Sequence, residues 1–222
     1  MRSNLEVNRR LHSVAGSQAG FFTTKQAKNA GFSESSHTYH VQAGHWTRVS
    51  RGIYRLTGFP EVLRPELVRW HLWAMDRMGR PQGVYSHFTA LELYAAPETP
   101  SPDVPSTLHM TVPPSFRRMG ATPEGLTLHY AKLAESEIAE GNGYRLTAPL
   151  RTILDLAAGE MAAGSVAAGE MAAEGAMLRA ELSKALLEMV ERRLITRSQV
   201  KSAKVPEVVR LQLEQLLGLK KR

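Results

Sequence analysis

Three observations predict an α+β fold in two parts for this chain of 222 residues. Apolar residues recur at helical spacing over the first 45 positions and again beyond residue 149, and short alternating runs of β type lie between. Positive charge is concentrated at the N-terminus: residues 1–60 hold 8 Lys/Arg against 2 Asp/Glu, residues 61–160 hold 9 against 12, and residues 161–222 hold 11 against 7. With 43% apolar and 22% charged residues, the chain can bury a core.

The helical and extended segments follow in order. Asn4 to about Ala15 places Leu5, Leu11 and Val14 among polar residues and stops near Gly16. Thr23-Thr24 opens a short helix through Ala30, closed by Gly31. Ser33 is the expected cap of a third helix, ESSHTYHVQA, which ends at Gly44. Trp46-Thr47-Arg48-Val49 and Ile53-Tyr54-Arg55-Leu56 alternate like strands and flank a turn, Ser50-Arg51-Gly52. Helix, helix, short turn, helix and basic hairpin is the order of a winged helix-turn-helix, which sets its last helix in the major groove and lays the hairpin over the backbone. Residues 1–58 are therefore expected to be a DNA-binding domain.

Thr57-Gly58-Phe59-Pro60 marks a boundary, and residues 61–222 are expected to form a larger mixed domain with a small sheet and C-terminal helices. A helix is predicted over Pro65–Met78 and another after Ser86 to Pro97, then a Pro-rich loop, ETPSPDVPS. Strands are predicted near 84, at 108–112, 126–130 and 144–147. Pro149 suits the first turn of the helix LRTILDLAA. Ala158-Gly-Glu-Met-Ala-Ala163 recurs as Ala168-Gly-Glu-Met-Ala-Ala173, so residues 157–176 read as a duplicated low-complexity insert, flexible or weakly helical. Helices are expected again over Met177–Arg193, after a cap at Thr196 or Ser198, and over Pro206–Leu217.

In the third helix, positions 37, 40 and 41 share one face, and the aliphatic Val41 turns it inward. The opposite face holds Ser35, Ser36, Tyr39 and Gln42, side chains suited to phosphates and base edges, with Gln able to pair with adenine. Arg48 and Arg51 flank the hairpin turn and Lys25 lies in the first turn of the preceding helix, where they would meet phosphates. The competing reading of these residues is an ordinary solvated surface.

The string GFFTTKQAKNAGFSESSHTYHVQAGHWTRVSRGIYRL resembles the N-terminal domain of the AbiEi family of antitoxins from bacterial type IV toxin–antitoxin systems, in its Thr-Thr-x-x-Ala helix opening, its interhelical Gly and the wing Arg48-Val49-x-Arg51-Gly52-Ile53-Tyr54-Arg55-Leu56. Val84-x-Ser86-His87-x-Thr89-Ala90-Leu91 and Leu146-Thr147-x-Pro149-x-Arg151-Thr152-Ile153-x-Asp155-Leu156-Ala157 are similar to that family's second domain, so the likeness spans most of residues 18–200. Positions 37 and 40 depart from it, with histidine where such sequences usually carry Leu or similar residues. The resemblance implies a repressor of its own operon that binds inverted repeats in double-stranded promoter DNA. It also implies an antitoxin domain that counters a nucleotidyltransferase-like toxin without a stable complex. Ser86 and His87, with the i, i+4 pair Arg151 and Asp155, are the candidates in that domain; a helix-to-sheet tie is the structural alternative for the latter pair.

Other chemistry finds little support. The absence of cysteine excludes thiol nucleophiles and Cys-based metal sites. His37, His40 and His45 lack a usefully spaced carboxylate apart from Glu34, and the remaining histidines are scattered, so neither metal nor cofactor is expected. Ser198-Gln-Val-Lys201 lacks the companions of a serine acyl enzyme, and no phosphate-binding Gly-rich loop occurs. No enzyme is expected; a nuclease would need a metal cluster gathered from residues such as Asp76, Asp103 and Asp155. The alternative function is a protein-interaction module that neutralises the toxin by direct binding, with DNA binding accessory. Without a signal-like segment or a run of about 18 uncharged apolar residues, no membrane partner and a cytoplasmic address are expected.

Overall fold

The computed structural model describes residues 4–95, 107–118, 120–164 and 171–219. The Pro-rich loop at 98–106, residues 165–170 of the duplicated insert, Asp103 and the basic end at 220–222 lie outside the described residues.

The N-terminal part contains helices α1 (Asn4–Gly16), α2 (Thr24–Ala30) and α3 (Ser36–Gln42) and strands β1 (Phe21–Thr23), β2 (Trp46–Ser50) and β3 (Ile53–Leu56). Thr23 and Gln26 form a reciprocal capping box at the start of α2, as the Thr-Thr opening predicts. Helix α3 starts later than expected, with Ser35 at its N-cap position, and the Ser33 hydroxyl accepts from the amide of its first residue, Ser36, at 3.2 Å. Gly52, with φ of 76°, closes the hairpin, and a register shift between Arg48 and Ser50 bulges its first strand.

One strand escaped the sequence reading. Phe21–Thr23 pairs antiparallel with β3, giving a three-stranded sheet in the order β1-β3-β2. Neighbouring strand residues point to opposite faces, and both Phe21-Phe22 and Ile53-Tyr54 are buried. The sheet is therefore covered on both sides. Phe22, Trp46, Tyr54 and Leu56 pack with Leu11, Ala15 and Ala27 of the helices, while Phe21 and Ile53 pack with Val68 and Leu72 of α4 (Pro65–Trp73).

Helix α4 ends before the expected Met78. The Asp76 carboxylate accepts from the amides of Met78 at 2.7 Å and Arg80 at 2.9 Å, so the chain turns instead of continuing its helical ladder. After it come β4 (Val84–Tyr85), α5 (His87–Ala95), β5 (Leu108–Val112), β6 (Leu126–Tyr130), a 3₁₀ turn at Glu135–Glu137, β7 (Ile138–Glu140) and β8 (Arg145–Thr147). They form a mixed sheet in the order β6-β5-β4-β8-β7, of which β7 was not foreseen. Its core joins Tyr85, Met110, Val112 and Leu146 to Leu67 and Ala74 on one side of the chain and Ala90 and Leu93 of α5 on the other. The buried Tyr85 hydroxyl donates to the Leu67 carbonyl at 2.7 Å, and burial holds its pKa well above the ordinary value.

Helices α6 (Pro149–Gly164), α7 (Met171–Glu191), α8 (Arg197–Lys201) and α9 (Glu207–Leu216) make a separate apolar cluster around Ile153, Leu156, Leu182, Leu186 and Leu213. The flanks of the duplicated insert are helical, the first copy inside α6 and the end of the second inside α7, which starts earlier than expected. Thr196 caps α8 as predicted.

Gly83 sits where backbone meets side chain: a Cβ there would overlap the Met110 sulfur and lie 2.7 Å from the Ala74 methyl. Gly83→Ala should therefore cost about 1–3 kcal/mol of overpacking, read as a lowered urea midpoint with an unchanged slope.

Candidate nucleic-acid interface

Helix α3 lies on an aromatic pad. Its buried His37 meets the rings of Trp46 and Tyr54 edge-on at 5.4 and 5.6 Å, and His40 stacks on Trp46 at 4.5 Å with 17° between planes. Phe22 and Phe32 complete the pad against Trp46, each at 4.9 Å. Histidine at positions 37 and 40 therefore does the packing work of an aliphatic residue, by presenting a flat ring to aromatic neighbours. The His40 Nδ1 lies 3.2 Å from the Nδ1 of His45, whose amide donates to the His40 carbonyl at 2.9 Å.

Fixing 37, 40 and 41 inward turns Ser35, Tyr39 and Gln42 to solvent, with Ser36 half-buried; Tyr39 is 62% exposed. Arg48 and Arg51 are exposed on the hairpin. The hairpin turn is tied to α2 by the Thr24 amide, which donates to the Gly52 carbonyl at 2.9 Å. Next to it, the Lys25 ammonium donates to the Arg77 carbonyl at 3.0 Å, beyond the expected boundary. The seven candidates thus belong to one exposed helix face, the adjoining hairpin and the start of the helix before them.

The other four candidates lie elsewhere. Ser86 is fully buried; its oxygen accepts from the Thr111 hydroxyl at 2.8 Å and lies 2.9 Å from the His87 Nδ1. His87, in a left-handed conformation with φ of 53°, stacks on His129 at 3.7 Å, and the His109 Nδ1 lies 2.9 Å from the His129 Nε2. The sheet register brings together three histidines that are far apart in sequence, through the pairing of Thr111 with His129 and of His109 with Thr127. Burial first, then the neighbouring rings of His129 and His109, pushes the His87 pKa down to about 3. Stacked rings do not converge on a point, and among the described residues no group of three or more His, Asp or Glu could hold a metal ion.

Arg151 joins Asp155 at 2.7 Å and Glu137 at 3.0 Å, tying α6 to the turn before β7. Burial raises the Asp155 pKa against the opposing pull of Arg151. The sequence showed the Arg151–Asp155 pair but not Glu137, because its turn carries no helical or strand periodicity.

Residues 9–57 match a family model described as transcriptional regulator, AbiEi antitoxin. That match covers the second half of α1, helices α2 and α3 and the hairpin, and stops short of the Ser86-His87 and Arg151–Asp155 segments. No curated protein matches the chain. Among the described residues, no helix is long and apolar enough to cross a membrane.

Burial lowers the His37 pKa below its ordinary 6.5. Between these values the unfolded chain takes up a proton that the native chain refuses, so stability is full above about pH 6.5 and falls as the pH drops. His37→Leu should make this acid limb shallower in urea midpoints between about pH 7 and 5, leaving the share that buried His87 contributes. An unchanged limb would mean that His37 titrates freely in the native protein.

Proposed function

We propose that this chain, whose residues 9–57 match a model of AbiEi antitoxin transcriptional regulators, reads duplex DNA with α3 and represses its own type IV toxin–antitoxin operon at inverted repeats. The observation that carries the reading is the exposed Ser35–Tyr39–Gln42 face, held outward by the aromatic pad beneath α3 and flanked by the cationic hairpin. In this reading residues 1–58 are the DNA-binding part. Residues 61–222 counter a nucleotidyltransferase-like toxin without a lasting complex, from a surface that includes the Arg151–Asp155–Glu137 tie.

A mobility shift on the chain's own upstream DNA tests the proposal. Arg51→Ala should weaken binding to all sequences and reduce the salt slope by about one unit, because a phosphate contact is lost. Gln42→Ala should cost about 1–3 kcal/mol on the preferred sequence and little on others. Unchanged binding in both variants would overturn the assignment of the reading face. A toxin complex that co-purifies without DNA would overturn the absence of stable association.

A further inference from the structure

The summed charge of residues 61–160 is negative, yet its distribution over the structure is polar. Glu135, Glu137 and Glu140 lie on or beside β7, at one edge of the five-stranded sheet. Arg117 and Arg118, with one carboxylate, Glu124, lie in the connection between β5 and β6, which form the other edge. That cationic edge adjoins the winged module through a short chain of contacts. The hairpin turn with Arg51 touches Thr24 through the Gly52 carbonyl, and Lys25, the next residue, bonds the Arg77 carbonyl. Two residues before Arg77, the Met75 carbonyl accepts from Arg118 at 3.5 Å.

Three cations of this row, Lys25, Arg117 and Arg118, are held in place yet remain open to an anion. Lys25 spends one of three N–H donors on the Arg77 carbonyl. The Arg118 guanidinium lies 5.3 Å from the centre of the Trp73 ring, and Arg117 bonds the carbonyls of Pro114 and Phe116. Among the described residues, none of Lys25, Arg51, Arg77, Arg117 and Arg118 has a carboxylate partner, whereas nearby Arg80 is paired with Asp76. Arginines anchored by carbonyls and an aromatic face, with donors to spare, suit the backbone oxygens of a polyanion.

We infer that the phosphate-binding surface continues beyond the hairpin as the row Arg51, Lys25, Arg77, Arg118 and Arg117, so that the second segment grips duplex backbone flanking the site read by α3. This rests on the DNA-binding reading above. It assigns to residues 75–80 and 116–118 a positioning role that carries no sequence information, since phosphate contacts set affinity and register but not base preference.

The test uses the full chain and duplexes that share one upstream site but carry progressively longer flanks. Wild-type affinity should rise by about tenfold as the flank extends on one side, and the triple variant Arg77→Ala, Arg117→Ala, Arg118→Ala should lose that gain. Its salt slope should fall by about three units, close to one per phosphate released, with sequence preference unchanged. Replacing the same three residues by Lys should keep most of the slope, which separates lost charge from a damaged fold. If the wild type binds and the triple variant keeps both slope and flank dependence, the row is not a DNA contact and the α3 reading stands. If the wild type binds no duplex, the reading itself has failed.

Discussion

The burial of the small N-terminal sheet on both faces is the constraint on which the rest of the molecule depends. An antiparallel sheet with one solvated face shows a simple alternation of apolar and polar residues. Here the consecutive pairs Phe21-Phe22 and Ile53-Tyr54 send one side chain to the helical triad and the next to α4. The sheet becomes a middle layer, and the helix that opens the second segment completes the core of the first. Arg55 reinforces this seam, bonding the Ala19 carbonyl at 3.2 Å and the Pro60 carbonyl at 2.9 Å while its guanidinium lies over Phe21. The boundary placed at residues 57–60 is thus a joint in sequence across which side chains pack continuously.

Helices and hairpin of the first sixty residues were legible because each carries a local cause: a capping threonine, a terminating glycine, an alternating run around a turn. The strand at Phe21–Thr23 was not, because its three residues are too few to show a period and its partner lies beyond α2 and α3. The doubled aromatic was nevertheless a signal. Two adjacent large apolar residues at the start of a β run indicate burial on both sides, which the single-faced template does not accommodate. The shortened α4 has a similar origin, since helical periodicity extends past the point where one carboxylate gathers two amides and ends the ladder.

In the candidate site, the inward face of α3 was read from spacing alone, and the outward face followed by exclusion. What spacing could not convey is that two histidines would serve as packing surfaces, because this depends on Trp46 and Phe32 standing beneath them. The cluster of His87, His109 and His129 was equally hidden, being a product of strand register. Charge shows the same limit. Counted by segment, the basic head and acidic middle look like separate chemistries, but the fold sets Glu135, Glu137 and Glu140 by one edge of the larger sheet and Arg117 and Arg118 by the other, where Arg118 bonds the Met75 carbonyl near the Lys25–Arg77 contact.

The strand order β1-β3-β2 also fixes which loops of the head are short and which are long. Only β2 and β3 are neighbours both in sequence and in space, so the hairpin closed at Arg51-Gly52 is the cheap loop to form. The pairing of Phe21 with Arg55 must span the whole helix pair, and α4 has no surface to dock on until Phe21 and Ile53 are in register. The same two residues, Phe21 and Ile53, thus close the long loop of the head and supply the surface on which α4 packs.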